Sequence, residues 1–269
     1  MRTVVHVSDI HFGRIDSATV QPLRDAIARA APDLVAVSGD LTQRARRQEF
    51  VAAKEFLESL PFRRLVVPGN HDVPLYNVVT RFTAPLARYR HTITDDLSPV
   101  YRDDEMIVVG VNTARSWTWG EGRINARQVD DVVAHLSGAP RDLIRIVVTH
   151  HPFDLPDGVR EERLLGRATM AMAKLSTAGA DLFLAGHLHV SHIGHSAERY
   201  QVAGHSALVV QAGTVSTRSR GEQPSFNVLR IQRPEISVAR MVWDQSASAF
   251  LETAESQYRH TEVGWIKTD

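Results

Sequence analysis

The chain has 269 residues, 43% of them hydrophobic and 23% charged, with 31 Lys+Arg against 31 Asp+Glu and no cysteine. A formal net charge of zero argues against a general nucleic-acid binder, which carries a basic excess. The lack of cysteine excludes disulfides and thiolate metal sites, so any metal must be held by nitrogen and oxygen ligands.

Thr3–Val7 reads as a strand, followed by a helix over Ser17–Ala30 with Asp16 or Ser17 as N-cap and Pro32 just beyond its end. Leu34–Val37 is the next strand. Gln48–Leu60 has helical spacing, with Phe50, Ala53, Phe56, Leu57 and Leu60 on one face, and Pro61 stops it. Leu65–Val67 is a third strand, so the first third of the chain alternates strand and helix as a parallel βαβ core does. Val73–Tyr89 is partly helical, and Pro99–Arg102 and Met106–Val111 read as paired strands. Asn125–Leu136 and Leu164–Ala178 read as helices, and Ile144–Thr149 and Leu182–Leu184 as strands. Beyond Gly186, Arg199–Val202, Ala207–Gln211, Ser225–Ile231 and Ile236–Val242 look like strands joined by short turns, which suggests a second, more antiparallel sheet. No repeat or linker divides the chain, so one domain over 1–269 is expected. Its segment 247–269 is either an extension packed on that domain or an interface for a homo-oligomer. No run approaches the ~18 apolar residues that span a bilayer, and the N-terminus lacks a signal-peptide pattern, which leads us to expect a cytoplasmic location.

Five of the apolar runs end in residues that ligate metals: Asp9 and His11, Asp40, Asn70, His150, and His187 and His189. Active sites of open α/β sheets lie at the carboxyl ends of strands, and seven oxygen and nitrogen ligands converging there is what a two-metal hydrolase needs. Asp9 and His11 are two apart, which at a strand end puts both on one face, and His187 and His189 repeat the arrangement. Asp40 follows Gly39, which lets the backbone come close, and its two oxygens suit it to bridge two ions. Two divalent ions, less Asp9, Asp40 and a bridging hydroxide, leave a net charge of about +1, which attracts a phosphodiester anion. Mixed His, Asp and Asn ligands suit transition metals better than Mg or Ca. We therefore expect two divalent or mixed-valence ions per chain, with Mn, Fe or Zn as candidates.

Asp9-x-His11, Gly39-Asp40, Gly69-Asn70-His71-Asp72, Thr149-His150 and Gly186-His187-Leu188-His189 together resemble the motifs of calcineurin-like metallophosphoesterases over roughly residues 3–215. The resemblance implies an α/β fold, a four-layer αββα sandwich of two mixed β-sheets flanked by helices. It implies that Asp9, His11, Asp40 and His189 hold one metal, and Asp40, Asn70, His150 and His187 the other. Within that family the chain is most similar to bacterial class III cyclic-nucleotide phosphodiesterases, on Val7–Phe12, Ser38–Thr42, Pro68–Asp72, Gly110–Thr113 and His150–Pro152. The stretch Leu41–Arg47 is more basic than that group leads us to expect.

His71, beside Asn70, is the candidate general acid or transition-state stabiliser, with Asp72 as its orienter or as an N-cap for the next segment. Arg44, Asn112, Arg115 and Arg218 are candidate substrate contacts, with Arg220 a further one. Trp117 and Trp119 are candidates for base stacking, an interface or the core. His151 is expected to support the ligands rather than join them. His192, His195 and His205 are expected in surface or structural roles, and His6 in the core. The expected activity is hydrolysis of a small-molecule phosphodiester, a 3′,5′-cyclic nucleotide such as cAMP, by a metal-bridging hydroxide. Other substrates in view are 2′,3′-cyclic nucleotides, glycerophosphodiesters and nucleotide-lipid pyrophosphates. The non-enzymatic alternative, a protein-binding scaffold on the same fold, is disfavoured because all seven ligand positions and His71 are filled.

Overall fold

A computed structural model describes residues 1–118, 120–200 and 206–268. Two mixed sheets face each other, and helices cover their outer faces. The first sheet contains β1 (Arg2–Val7), β2 (Leu34–Val37), β3 (Arg64–Val66), β10 (Ser225–Gln232), β11 (Glu235–Asp244), β12 (Ala249–Thr261) and β13 (Gly264–Lys267). Its order is β13-β12-β11-β10-β1-β2-β3, with β1, β2 and β3 parallel and β10 antiparallel to β1. The second contains β4 (Val100–Arg102), β5 (Met106–Gly110), β6 (Ile144–Val148), β7 (Leu182–Ala185), β8 (His192–His195) and β9 (Leu208–Gln211). Its order is β4-β5-β6-β7-β9-β8, with β5, β6, β7 and β9 parallel.

Three apolar cores correspond to the three interfaces of four layers. Between the sheets lie Val4, Leu34, Ala36, Met106, Val108, Ile146, Leu184, Val210 and Leu229. Outside the first sheet, Val5, Val35 and Val37 meet Leu23 and Ile27 of α1 (Ser17–Ala30) and Phe50, Ala53 and Phe56 of α2 (Arg47–Glu58). Outside the second, Val109, Val147 and Phe183 meet Val132 and Leu136 of α5 (Ala126–Ser137) and Ala171, Met172 and Leu175 of α6 (Ala168–Thr177). Central strands buried on both faces have no polar face, which is why they read in the sequence as unbroken apolar runs. Helix caps follow the expected chemistry: Asp16 accepts a hydrogen bond from Ala18 N at 2.9 Å, and Asn125 one from Gln128 N at 2.9 Å. Shorter helices α3 (Val78–Thr83) and α4 (Ala87–Thr92) occupy the region expected to be partly helical.

The structure corrects the expectation for the C-terminal third. Its strands do not form a sheet of their own: β8 and β9 join the second sheet, whereas β10 to β13 extend the first beyond β1. Segment 247–269 supplies β12, which pairs antiparallel with β11, and β13, which pairs antiparallel with β12. Arg199 belongs to the helical turn α7 (Ser196–Arg199) rather than to a strand, and the remainder of the strand expected over Arg199–Val202 lies, from 201 on, outside the described residues. Among the described residues no helix is long and apolar enough to cross a membrane.

One buried polar contact ties the last strand to the opposite sheet. Trp265 Nε1 of β13 donates to Asp181 Oδ1 at 3.0 Å, just before β7, while Arg145 N donates to the other oxygen at 2.9 Å. Trp265→Phe leaves a buried carboxylate oxygen without its donor, so we expect a loss of about 1.5–3 kcal/mol of stability. Urea unfolding followed by circular dichroism measures it, and an unchanged midpoint would show that the contact contributes nothing.

Candidate active site

All the sequence-predicted ligands lie just past carboxyl ends of parallel strands. Asp9 and His11 follow β1, Asp40 follows β2, and Asn70 opens a 3₁₀ turn (Asn70–Asp72) after β3. His150 follows β6, and His187 and His189 follow β7. The first sheet therefore supplies four of the seven residues and the second sheet three.

These side chains converge through backbone turns rather than strand alternation. Asp9, His11, Asp40, His187 and His189 all have positive φ, between 48° and 73°. Such backbone costs non-glycine residues about 1–3 kcal/mol each and persists only where surrounding contacts enforce it. The two-residue spacing thus reflects paired left-handed residues and not a strand face. The glycines allow close approach. A Cβ on Gly69 would stand 2.1 Å from Asp40 Oδ1, and one on Gly186 1.8 Å from Ser8 Oγ and 2.4 Å from Asp9 Oδ2.

The atoms brought together are almost all hydrogen-bond acceptors. His11 Nε2 lies 3.2 Å from His189 Nε2, 3.5 Å from Asp9 Oδ1 and 3.6 Å from Asp40 Oδ2. His189 Nε2 is 3.0 Å from Asp9 Oδ1, but that oxygen receives no well-aligned hydrogen bond. On the other side of Asp40, His150 Nε2 is 3.5 Å from Oδ2 and 3.0 Å from Asn70 Oδ1, which in turn lies 3.1 Å from His187 Nδ1.

Backbone carbonyls fix the tautomers. His11 Nδ1 faces Thr42 O at 3.2 Å, His150 Nδ1 faces Ser38 O at 2.8 Å and His189 Nδ1 faces Arg218 O at 2.7 Å. An Nδ1–H donated to a carbonyl leaves Nε2 as a lone pair. Lone pairs then face lone pairs and carboxylates, an arrangement that needs cations between them. Asp9, His11, Asp40 and His189 form one such group, and His150, His151 and His187 lie close enough together to form another, with Asn70 Oδ1 between His150 Nε2 and His187 Nδ1 and Asp40 Oδ2 3.5 Å from His150 Nε2. Burial pushes the Asp9 carboxyl up, yet the facing His189, His11 and His150 hold it well below the usual range. A proton can serve in place of a cation: burial lowers His150, but the facing Asp40 and Asp9 raise it to about 9. Burial and neighbouring His150 bring His187 down to about 3.

Further residues hold these loops. Ser8 Oγ and His187 N donate to Asp9 Oδ2 at 2.6 and 2.9 Å, His71 N donates to Asp40 Oδ1 at 2.8 Å, and Thr214 Oγ1 donates to Asp9 O at 2.7 Å. Thr214 was not anticipated, although it follows the apolar run of β9 much as the ligands follow theirs.

His71 lies edge-on to His11, with ring centroids 4.9 Å apart. Its Nδ1 faces Gln43 O at 2.8 Å, and its Nε2 accepts from Arg218 Nη1 at 2.9 Å. Arg218 Nη1 is also 3.3 Å from His11 Nε2, which places this guanidinium at the edge of the cluster. Burial lowers the His71 pKa, with His11 and Arg218 pulling the same way and Asp40 opposing.

Asp72 is not beside the His71 ring. Its carboxylate accepts from Leu41 N, Thr42 N, Thr42 Oγ1 and Gly69 N at 2.9–3.2 Å, clasping the Asp40 loop to the Asn70 loop. Nor does it cap the following helix, where Asn77 accepts from Thr80 N. Asn112 Oδ1 and the Arg115 guanidinium make local contacts. Asn112 Oδ1 accepts from Ala114 N, and Arg115 donates to Asn112 O, Ala114 O and Gln128 Oε1, bracing the turn that leads to α5. The Arg44 guanidinium stands 5.2 Å from the ring centre of Tyr76. His151 has Thr113 Oγ1 at Nδ1 and Gly120 O at Nε2, and packs against His150 and His187. Trp117 is 82% exposed and stacks on Phe82; Trp119 and His205 lie outside the described residues. His6 is buried, with Nε2 2.9 Å from Ser38 Oγ. His192 pairs with Asp154 at 3.1 Å, and His195 packs against the Tyr258 ring.

A family model described as calcineurin-like phosphoesterase matches residues 2–191. The glycerophosphodiester phosphodiesterase GpdQ of Enterobacter lignolyticus (strain SCF1) is 36% identical over 81 residues, a match that takes in 26% of this chain and 29% of that protein's length. A dimetal phosphatase from Danio rerio shares the fold at TM-score 0.65, with 13% identity over 93% of this chain and 98% of that one. The purple acid phosphatase PPD1 of yellow lupin (Lupinus luteus) seeds does so at TM-score 0.68, with 11% identity over 94% of this chain and 53% of that one.

Removing the Asp72 clasp strands four buried donors. Asp72→Ala should therefore cost roughly 3 kcal/mol or more of stability. Thermal unfolding tests this, and a change below about 1 kcal/mol would deny the carboxylate a structural role.

Proposed function

We infer that this chain, which belongs to the calcineurin-like phosphoesterase family, is a phosphodiesterase working with two transition-metal ions. The observation that carries the reading is the pair of donor-poor acceptor groups sharing Asp40, with the Arg218–His71 contact at their edge. Asp9, His11, Asp40 and His189 would hold one ion, and Asp40, Asn70, His150 and His187 the other. When bound, two such ions activate water and neutralise charge developing on the phosphoryl oxygens.

The chain's own groups do the rest. Arg218, fixed by His71 Nε2 and offering its remaining N–H groups, orients a phosphate oxygen and stabilises its growing charge. His71, its Nδ1 held by Gln43 O and its Nε2 accepting from Arg218, acts on the substrate by setting the position of that guanidinium. Asp72 contributes by keeping the two ligand loops in register. The short runs that resemble class III cyclic-nucleotide phosphodiesterases favour a 3′,5′-cyclic nucleotide. A second reading, a glycerophosphodiester, is favoured by the 36% identical stretch shared with a glycerophosphodiester phosphodiesterase.

With Mn²⁺, initial rates on 3′,5′-cAMP, 2′,3′-cAMP, glycerophosphoethanolamine, bis(p-nitrophenyl) phosphate and p-nitrophenyl phosphate separate these substrates. We expect about two metal ions per chain by elemental analysis, diesters turned over faster than the monoester, and activity abolished by chelation. Asn70→Ala should lower kcat/KM at least about 100-fold. Monoester turnover above that of every diester would overturn the diester reading. His71→Ala should lower kcat about 100- to 1000-fold with both metals retained; loss of metal together with activity would instead make His71 a prop for Asn70.

A further inference from the structure

Arg218 is tied to the cluster by its side chain and by both of its backbone groups. Its guanidinium nitrogen Nη1 lies 2.9 Å from His71 Nε2 and 3.3 Å from His11 Nε2, and its carbonyl accepts from His189 Nδ1 at 2.7 Å. Two hydroxyls hold its backbone nitrogen. Arg218 N donates to Ser216 Oγ at 3.3 Å, Ser216 Oγ lies 2.7 Å from Thr214 Oγ1, and Thr214 Oγ1 donates to Asp9 O at 2.7 Å. Both hydroxyl side chains are buried.

These hydrogen bonds run in one direction. A hydroxyl has one proton and two lone pairs. The Asp9 carbonyl can only accept, so Thr214 spends its proton there. The two Thr214 lone pairs then take Ser216 N, at 3.0 Å, and the Ser216 hydroxyl. Ser216 Oγ in turn accepts from Arg218 N. The series Arg218 N–H, Ser216 O–H, Thr214 O–H, Asp9 C=O thus has every proton placed and pointing toward Asp9. It begins at a backbone amide and ends at a backbone carbonyl, so it delivers no proton to a reacting group. Its effect is positional: it fixes the backbone of Arg218 to that of Asp9, a candidate ligand whose φ is 54°.

The same loop has a second attachment. Thr217 N and Oγ1 donate to Arg14 O at 3.1 and 2.7 Å, and Arg14 N donates to His11 O at 2.7 Å. Removing the Ser216 hydroxyl leaves that attachment in place. An arginine side chain is long and costly to immobilise, so the position of its guanidinium depends on how firmly its backbone is held.

Resting on the phosphodiesterase reading, in which Arg218 orients a phosphate oxygen, we propose that Ser216 and Thr214 are positioning residues that set Arg218 against the phosphate. The bland alternative is that the two hydroxyls stabilise the loop and nothing more.

A double-mutant cycle separates the two. With Mn²⁺-loaded enzyme and bis(p-nitrophenyl) phosphate, Arg218→Gln should lower kcat/KM about 100-fold. Ser216→Ala should lower it about 5- to 10-fold, mostly through kcat, with metal content by elemental analysis unchanged. Arg218→Gln keeps the backbone N–H that Ser216 accepts and removes only the guanidinium. In that background Ser216→Ala should therefore cost less than about twofold. An equal loss in both backgrounds would make Ser216 a structural support and overturn the proposal. So would an unchanged kcat in Ser216→Ala, or loss of metal from it, which would route the effect through Asp9. Thr214→Ser, which keeps the hydroxyl, should stay within about twofold of wild type while Thr214→Val falls as Ser216→Ala does; equal losses in the two would refute the series. If wild type hydrolyses no phosphate ester, the phosphodiesterase reading fails, and calorimetric binding of inorganic phosphate to the same four Mn²⁺-loaded proteins of the cycle decides the positioning role. Weaker binding on Ser216→Ala in the wild-type background alone supports it, and equal weakening in both backgrounds, or none, refutes it.

Discussion

The arrangement of this molecule depends on lone pairs pointed at lone pairs. His11 Nε2 and His189 Nε2 lie 3.2 Å apart, with carboxylate oxygens of Asp9 and Asp40 beside them. Each imidazole already donates its Nδ1–H to a backbone carbonyl. In a buried site this would be strongly unfavourable without cations or protons to bridge the acceptors. The protein holds the arrangement by building rigid loops from both sheets around a single shared carboxylate, Asp40.

That rigidity rests on backbone conformations which the side chains do not favour on their own. Five ligand positions lie in the left-handed region, and hydrogen bonds from Ser8, Thr214, His187 N and His71 N hold their carboxylates and carbonyls in place. Asp72 fastens one loop to the next through four donors. Strain gathered at a site and stabilised by the surrounding fold is the usual mark of preorganisation. Here it is distributed over three of the five loops that bring candidate ligands, those after β1, β2 and β7.

The parallel strands and the ligand-type residues at their ends were legible because both signals are local. An apolar run buried on two faces and a ligand-type residue just past it can be read within ten positions, and α1 agrees with its expected span at both ends. Sheet membership was not legible. That β10 sits beside β1 is a pairing of Arg2 with Ile231, and nothing within either strand announces the other. The strand β12 gave little signal, since its middle runs Glu252-Thr253-Ala254-Glu255-Ser256-Gln257 and is largely exposed. The role of Asp72 was misjudged for a related reason. A carboxylate or guanidinium near a ligand looks the same in sequence whether it faces the substrate or a row of backbone groups, and only the tertiary hydrogen bonds distinguish them.

The same long-range pairing affects how the chain is made. β2 and β3 follow β1 closely in the chain, so β2 can pair with β1, and β3 with β2, early. The other neighbour of β1, β10, begins at Ser225. At synthesis rates of about 5–20 residues per second, β1 waits on the order of 10–40 s with one apolar edge unpaired. During that interval the nascent chain exposes Val4, Val5 and Val7 along a strand edge that invites pairing with other chains. The late arrival of β10 therefore makes the newborn polypeptide a natural client for chaperones that shield such edges, and the yield of soluble protein depends on translation speed as well as on the stability of the finished fold.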